Sequence, residues 1–380
     1  MNLVVVKESV AGERRVAVTP QTAQKLVRLG ADVRLESGVG ASLHVDDAAY
    51  VAAGATVGAR DQLLGEADVL LTVQPPGPEV VAALRPGVVT VGFLDPFFNH
   101  GLVRALADAR LSSLCMELIP RTTYAQKMDA LSSQASLAGY AAVVVSASRS
   151  HKAFPMMSTP AGTIAPARVF VVGAGVAGLQ AIATAKRLGA RVEAYDTRPV
   201  VKEQVQSLGA RFVELDVGET GQTEQGYAKE LTPEQLEMQR QQMAAVCAHS
   251  DVVITTAQVF GRRAPLIITE EMVSGMKPGS VIVDLAASTG GNVAGSRSGE
   301  VVVTENGVTI LGLSDLPSAV ALDASQMYAN NVYNLIEHAW DAEAKALRLD
   351  STDEIVSGCL LTHDGHIRDE RVRTAMEASA

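Results

Sequence analysis

The sequence predicts an α/β protein made of two Rossmann-like domains, each built on a doubly wound parallel sheet. Short apolar runs alternate with helix-type patterns along most of the 380 residues, and such alternation is typical of parallel sheets flanked by helices. A glycine-rich turn after one apolar run opens an alanine-rich helix. With 47% hydrophobic and 19% charged residues the chain is globular, not disordered. We expect a cleft between the two domains.

The stretch 168–196 carries a dinucleotide-binding pattern of strand, turn, helix and second strand. In its turn, Gly173 permits a sharp bend, Gly175 lets a pyrophosphate approach the backbone, and Gly178 lets the helix pack against the strand. Asp196 follows Gly178 by 196 − 178 = 18 positions, close to the spacing expected of the ribose-binding acid. Because glycine-rich turns are common, a purely structural turn is the alternative.

The predicted cofactor is NAD, because the Asp196 carboxylate would accept hydrogen bonds from the ribose and repel a 2′-phosphate. Val176 and Thr197 adjoin these residues and belong to the same predicted site. Arg198 is the main argument against this choice, since an arginine here is able to accommodate the phosphate of NADP.

Composition excludes several other classes. The net charge is −10 without a basic stripe, which argues against nucleic acid as a partner. Three cysteines without CxxC spacing and seven scattered histidines predict reduced thiols and no metal site. No uninterrupted apolar run reaches the roughly 18 residues of a membrane span, and no signal peptide is evident. We therefore expect a soluble chain without direct membrane insertion.

The remaining elements divide the chain into a discontinuous first domain, residues 1–135 plus 318–380, and a second domain, residues 136–317. Thr19-Pro20 opens a helix that closes near Gly30. Asp364-Gly365 predicts the turn of a closing hairpin that packs back on the first domain. The strands predicted in the first domain are 3–6, 33–36, 69–72 and 88–93, together with a hairpin of 355–362 and 366–368. Six strands are predicted in the second domain: 168–172, a strand that ends at Asp196, 211–215, 252–255, 281–284 and 308–312.

Two segments carry alternative interpretations. The polar stretch 216–234 is too long for an ordinary connection, so it is either a lid over the binding crevice or a flexible surface insertion. The segment after Pro120 becomes a long helix rich in Ala, Ser and Gly, either a hinge between domains or an ordinary connecting helix.

Several motifs resemble one known family. KESVAGERRVAVTP (7–20) resembles the amino-terminal signature shared by alanine dehydrogenase and the NAD-binding alpha subunit (soluble domain I) of proton-translocating NAD(P) transhydrogenase. PRTTYAQKMDALSSQASLAGY, KEQVQSLGA and ITEEMVSGMKPGSVIVDLA resemble the transhydrogenase branch, and the resemblance covers essentially the whole chain.

Differences from alanine dehydrogenase support that branch. The dehydrogenases carry a catalytic Lys, His and Asp at places where this chain reads Val-Gln-Pro (73–75), residues 93–98 without His, and Ala-Ala-Ser (286–288). Without a general base, no side chain accepts the proton that oxidation of an amino acid releases. Arg15 resembles the residue that binds the substrate carboxylate in the dehydrogenases. It is retained in this chain, where we expect it to serve the structure only. An NAD-dependent amino-acid dehydrogenase and a non-catalytic NAD-binding regulatory module are the alternatives.

The resemblance implies direct hydride transfer from NADH on this chain to NADP on a partner subunit, coupled to proton translocation. It implies that Arg121, Gln126, Asp129 and Ser132 hold the nicotinamide. Their chemistry agrees: we expect Arg121 and Asp129 to pair with each other and with the carboxamide, although a solvated surface pair is the alternative.

The same resemblance implies that Tyr227, beside Gly226, closes a mobile loop over NAD, with a loop aromatic that contacts no ligand as the alternative. It implies that Gln258 approaches the adenosine. It further implies a homodimer on the cytoplasmic face of the membrane, attached through NADP-binding and transmembrane subunits.

Overall fold

A computed structural model describes residues 1–215, 232–313 and 315–378. The chain divides into two compact units, residues 1–134 with 317–380 (unit 1) and residues 135–316 (unit 2). Each boundary lies one residue before the predicted one.

The described strands are β1 (Asn2–Val5), β2 (Asp32–Glu36), β3 (Thr56–Gly58), β4 (Val69–Leu71), β5 (Val89–Gly92), β6 (Ser112–Cys115), β7 (Met157–Thr159), β8 (Gly162–Ile164), β9 (Arg168–Val172), β10 (Arg191–Tyr195), β11 (Arg211–Phe212), β12 (Val252–Thr255), β13 (Val281–Asp284), β14 (Val301–Val303), β15 (Thr309–Leu311), β16 (Trp340–Asp341), β17 (Ala346–Leu347), β18 (Leu360–His363) and β19 (His366–Ile367).

The described helices are α1 (Pro20–Leu29), α2 (Asp47–Ala52), α3 (Arg60–Glu66), α4 (Pro78–Ala83), α5 (His100–Asp108), α6 (Ala130–Arg149), α7 (Val176–Arg187), α8 (Lys202–Ser207), α9 (Pro233–His249), α10 (Glu270–Ser274), α11 (Ala321–Ala339), α12 (Glu354–Cys359) and α13 (Glu370–Ala378). Short 3-10 turns join some of them, and the one at Tyr124–Met128 precedes α6.

Unit 1 contains an eight-stranded sheet in the order β19-β18-β6-β5-β4-β1-β2-β3. The six strands from β1 to β6 pair in parallel, which confirms the predicted α/β class. β18 and β19 add an antiparallel edge. Their turn is at Asp364 and Gly365, both with positive φ, as predicted. The strand prediction for 355–359 is wrong: Asp353 accepts hydrogen bonds from the N–H groups of Ile355 and Val356 and so caps helix α12.

Unit 2 contains a seven-stranded sheet in the order β11-β10-β9-β12-β13-β15-β14. Six strands are parallel, and β14 is an antiparallel edge strand that the sequence did not predict. Both faces of the central strands pack into apolar cores, one with Val169 and Val171 and the other with Phe170 and Val172. In both sheets the first and fourth parallel strands are neighbours, so each has a topological switch point there.

Helix α6 qualifies the expectation about membranes. Among the described residues, α6 is the one helix that is long and apolar enough to cross a bilayer, judged by length and composition alone. Of its most apolar part, 39% is buried. Core helices of soluble proteins pass the same test, and Ala141, Ala142 and Val143 pack in the core of unit 2.

Candidate functional site

The glycine turn of unit 2 joins β9 to α7 in three residues, 173–175. Gly173 has φ +96°, and a Cβ there would lie 2.5 Å from the Thr256 hydroxyl oxygen. At Gly178 a Cβ would lie 1.9 Å from the carbonyl oxygen of Gly173, so the helix approaches the strand too closely for any side chain. A Cβ on Gly175 would meet nothing within 4 Å. Packing therefore requires two of the glycines, while the third faces open space.

Helix α7 begins at this open space without a side-chain cap. Its N-cap is Gly175, and no side chain accepts a hydrogen bond from the first turn. The corresponding helix of unit 1, α1, is closed by a capping box in which Thr19 and Thr22 satisfy each other's backbone N–H groups. Because first-turn N–H groups lack intrahelical partners and the helix dipole attracts negative charge, the start of α7 is suited to bind a pyrophosphate. Val176, at the first helical position, is 46% exposed there.

Asp196 stands at the end of β10 beside this turn. Its carboxylate accepts hydrogen bonds from the backbone N–H of Ala174 at 2.7 Å and of Arg198 at 2.8 Å. The Arg198 guanidinium adds two hydrogen bonds of 3.0 Å, one to each oxygen. Arg198 therefore balances the charge of Asp196 in this structure, with Thr197 between the two.

The loop after β12 forms the other side of the switch point in unit 2. Thr256 donates a hydrogen bond to the carbonyl oxygen of Gly173 at 3.1 Å. Asn292, fully buried, accepts from the N–H of Ala257 at 3.1 Å and donates to its carbonyl at 2.9 Å. The Gln258 amide donates to the Leu285 carbonyl at 2.8 Å. Sequence reasoning missed Thr256 and Asn292; the only sequence signal was the pair of glycines that precedes Asn292.

The predicted nicotinamide residues cluster on a turn of unit 1 that precedes α6. Asp129 accepts hydrogen bonds from the Ser132 N–H at 2.9 Å and the Ser132 hydroxyl at 2.6 Å, so it closes the start of the helix. Arg121 and Gln126 are exposed on the same segment. The expected ion pair between Arg121 and Asp129 is wrong for the described structure, because the Asp129 carboxylate is bound by Ser132 instead.

A buried polar network fills the switch point of unit 1. Arg15, 6% exposed, pairs with Glu13 at 2.6 Å and donates to the Gln134 amide oxygen at 2.8 Å. Burial alone would raise the pKa of Glu13, but its hydrogen bonds and attraction to Arg15 lower it to about 2. Burial raises the pKa of Glu8 to about 7, against the hydrogen bonds it accepts from the N–H groups of Val73 and Gln74. Glu13 and Gln134 thus hold the Arg15 guanidinium inside unit 1.

Two predicted site residues, Gly226 and Tyr227, lie outside the described residues, as does most of the polar segment 216–234. From Thr232 onward the chain is described, and Thr232 caps helix α9. Within the described ranges, no group of three or more His, Cys, Asp or Glu side chains is arranged to hold a metal ion.

The fold defines an α/β protein of two units, and the glycine turn of unit 2 has the form that is typical of dinucleotide-binding folds. Family models agree: the N-terminal domain of the family "alanine dehydrogenase/PNT" matches residues 4–138 and its C-terminal domain matches residues 142–370. The chain therefore belongs to the alanine dehydrogenase/PNT family.

Within that family, the chain is similar over its full length to transhydrogenase alpha-subunit chains, which confirms the sequence prediction. An NAD(P) transhydrogenase alpha-subunit chain of Rhodospirillum rubrum is 46% identical over 97% of this chain and 97% of its own length. Its counterpart from Rickettsia prowazekii is 42% identical and covers 100% of this chain and 99% of its own length. Alanine dehydrogenase of Mycobacterium tuberculosis is 28% identical over 97% of this chain and 94% of its own length.

Solved structures show the same relationship. The crystal structure of transhydrogenase from Sinorhizobium meliloti superposes with a TM-score of 0.85 at 41% identity, covering 98% of this chain and all of that one. An L-alanine dehydrogenase superposes with a TM-score of 0.81 at 23% identity over the full length of both chains, a likeness of fold alone.

Proposed function

We propose that the chain is the NAD(H)-binding subunit of a proton-translocating transhydrogenase. In this proposal it passes hydride from NADH directly to NADP⁺ held on a partner subunit, and the transfer is coupled to proton translocation through transmembrane subunits. The observation that carries the proposal is the uncapped start of α7, with Gly175 open in front of it and Asp196 at its side. The full-length similarity to NAD(P) transhydrogenase alpha-subunit chains supports it.

The adenosine half of NAD is assigned to unit 2. The first-turn N–H groups of α7 bind the pyrophosphate, and the Asp196 carboxylate binds the ribose. Because Ala174 and Arg198 already donate four hydrogen bonds to this carboxylate, the ribose hydroxyls take the place of the Arg198 guanidinium when they bind. The residues assigned to this half are Gly173, Gly175, Val176, Gly178, Asp196, Thr197, Arg198, Gly226 and Gln258.

The nicotinamide half is assigned to the turn of unit 1. Ser132, Asp129 and the exposed Arg121 offer a hydroxyl, a carboxylate and a guanidinium to the carboxamide, and the exposed Gln126 reaches toward the second nucleotide. Tyr227 closes over the bound NAD. Because hydride passes directly from ring to ring, these side chains abstract no proton; they fix the distance and exclude water.

Nucleotide titration tests the cofactor assignment. The isolated chain should bind NADH more tightly than NADPH when nucleotide fluorescence is followed, because the 2′-phosphate meets the Asp196 carboxylate. Equal affinities would contradict the role of Asp196.

Reconstitution tests the reaction. Mixing the chain with an NADP-binding transhydrogenase component should give reduction of an NADP analogue that depends on NADH. Failure of that transfer would favour a non-catalytic NAD-binding module. Oxidation of alanine by the isolated chain with NAD would instead favour an amino-acid dehydrogenase.

A homodimer is the state proposed for this subunit, and two apolar surfaces of unit 2 support it. Strands β7 and β8 pair only with each other, and all of their residues are exposed, Met157 and Ile164 among them. An isolated two-stranded hairpin is at best marginally stable in water. On α6, Tyr140 and Val144 are exposed four positions apart, on one face of the helix.

In a homodimer a second copy of the chain would cover both surfaces and remove their apolar side chains from water, so α6 need not insert into a bilayer. Replacing Met157 and Ile164 by Ser should therefore shift the chain from dimer to monomer in sedimentation velocity. Binding of the unmodified chain to neutral lipid vesicles, with a monomer in solution, would contradict this assignment. Attachment to the cytoplasmic face of the membrane then depends on the partner subunits.

A further inference from the structure

The turn that carries the nicotinamide residues is bridged from behind by one buried amide. Asn331, on α11, is only 7% exposed. Its amide nitrogen donates to the carbonyl oxygen of Lys127 at 2.9 Å, and its amide oxygen accepts from the Ser133 hydroxyl at 2.7 Å. Lys127 precedes Asp129 and Ser133 follows Ser132, so the amide holds both ends of the segment that contains these two residues.

The side-chain type matters, because one group must donate and accept at once. Asn and Gln are the uncharged side chains with a donor and an acceptor on one planar amide. A carboxylate at this position would keep an acceptor for Ser133 but would face the Lys127 carbonyl with a second acceptor. Asn331 is largely buried and both polar atoms of its amide are hydrogen-bonded, so losing either partner leaves a largely buried polar atom unsatisfied.

Other contacts hold only one end of the turn. Asn334, one helical turn further along α11, donates to the same Lys127 carbonyl at 3.0 Å but has no bond to Ser133. Tyr124 packs edge-on against the ring of His338 with the ring centroids 5.7 Å apart. Among these three contacts of the turn with helix α11, only that of Asn331 joins the two ends of the turn.

We propose that Asn331 is a positioning residue for hydride transfer. By fixing Lys127 relative to Ser133, it sets the geometry at which Gln126, Asp129 and Ser132 meet the nicotinamide. The inference rests on the proposed function, since those residues are assigned to the nicotinamide there. It concerns orientation, so the rate of transfer depends on Asn331 more strongly than the affinity for NADH, most of which comes from unit 2.

The test compares Asn331→Asp and Asn331→Ala with the matched control Asn334→Ala. For the two Asn331 variants we expect the saturated rate of transfer in the reconstituted complex to fall about tenfold or more, as misplacement of a reacting group of about 1 Å can cost. The NADH Kd of the isolated chain should change less than about threefold, because the start of α7 is unaffected. Asn334→Ala should change both quantities less than about twofold, since the Asn331 bridge stays.

Ser133→Ala removes the other half of the bridge and tests the same idea if Asn331→Ala does not fold. We expect a smaller loss of transfer rate in the same direction, again with NADH binding retained. Parallel losses of rate and affinity, or a loss in Asn334→Ala as large as in Asn331→Asp, would overturn the positioning role. A wild-type complex that binds NADH but transfers no hydride would refute the proposed function, and the positioning role with it.

Discussion

Gly175 and Gly178 stand three residues apart in one turn, yet different demands keep them as glycine. Gly178 has the carbonyl oxygen of Gly173 where a Cβ would be, so its constraint comes from the folded chain itself. Gly175 has free space on the same side and a φ of −79° that any residue adopts. In the proposed site its constraint is the ligand, whose pyrophosphate would approach the backbone there.

Alanine substitutions should separate these two constraints. Gly178→Ala should destabilise the chain and abolish NADH binding, since backbone must move to relieve a 1.9 Å contact. Gly175→Ala should unfold at nearly the wild-type temperature and still bind NADH at least about tenfold more weakly. Thermal unfolding and fluorescence titration measure the two effects. Unchanged NADH affinity in Gly175→Ala would show that the turn is only structural.

Glu8 gives a pH-dependent contribution with a definite sign. Burial raises its pKa from 4.5 to about 7, so the folded chain holds this proton more tightly than the unfolded chain does. Stability from this group is therefore greatest at low pH and declines as the pH rises from about 4.5 to about 7, in total by about 3 kcal/mol.

Compared with the wild type, Glu8→Gln should lack this decline. Between pH 5 and 7.5 the unfolding free energy of the variant should rise relative to that of the wild type, and above this range the difference should stay constant. Urea denaturation at several pH values measures it. Glu13, with its pKa lowered to about 2, titrates outside this range. A pH-independent difference would mean that Glu8 titrates normally.

The failed prediction about Arg121 and Asp129 has a physical origin at the same scale. Opposite charges on one segment suggested an ion pair, but Asp129 immediately precedes α6, and a carboxylate there binds the free N–H groups of the first turn. A capping interaction is local and costs little entropy, whereas an exposed ion pair is worth about 1 kcal/mol or less. The pattern Asp-x-x-Ser at a helix start was the signal that favoured the cap.

At the scale of elements, burial decides which strands the sequence can predict. β9, β12 and β13 were predicted to the residue, because their side chains are buried on both faces or nearly so and read as continuous apolar runs. The edge strands β3 and β14 are three residues long and partly or fully exposed, so their composition does not distinguish them from loops. The contacts of Asn331 and Asn292 depend on tertiary structure and left no periodic signal.

Helix α6 meets α7 through Gly139, and this contact gives a prediction about helix packing. A Cβ on Gly139 would lie 2.1 Å from the carbonyl oxygen of Ala177, whereas a Cβ on Gly101 in α5 would meet nothing within 4 Å. Gly139→Ala should therefore destabilise unit 2 by several kcal/mol, as overpacking does. Gly101→Ala should stabilise unit 1 by about 0.5–1 kcal/mol, because alanine loses less backbone entropy in a helix.

Chemical denaturation of both variants measures whether the free energy of unfolding falls in Gly139→Ala and rises in Gly101→Ala. Equal effects of the substitutions would show that α6 and α7 are not in close contact through Gly139.

At the scale of the whole molecule, the two units share one order of their first six parallel strands, with the first strand beside the fourth. Each unit encloses its own apolar core, and both cores of unit 2 consist of residues between 138 and 316. Two domains are expected from the sequence because the glycine turn belongs to a six-stranded dinucleotide-type unit and the closing hairpin has too few residues to form a domain alone.

A fragment of residues 130–316, which keeps α6 whole, should therefore fold cooperatively on its own. It should bind ADP-ribose within about threefold of the full chain, because the uncapped helix and Asp196 belong to it. Unlike the full chain, it should bind NADH no more tightly than ADP-ribose, since the turn with Arg121 and Ser132 is incomplete. Calorimetric titration of both ligands checks this, and a fragment that prefers NADH would place the nicotinamide contacts in unit 2.

The contrast between α1 and α7 also bears on how the protein is handled. A capping box closes the start of α1, whereas the start of α7 has no side-chain cap. If the nucleotide binds there as proposed, sulfate or phosphate from a buffer should compete with it. Nucleotide affinities measured in phosphate buffer would then be underestimates, whereas the folding of unit 1 would be indifferent to the anion. Buffers without sulfate or phosphate are therefore suited to titrations with NADH and NADPH.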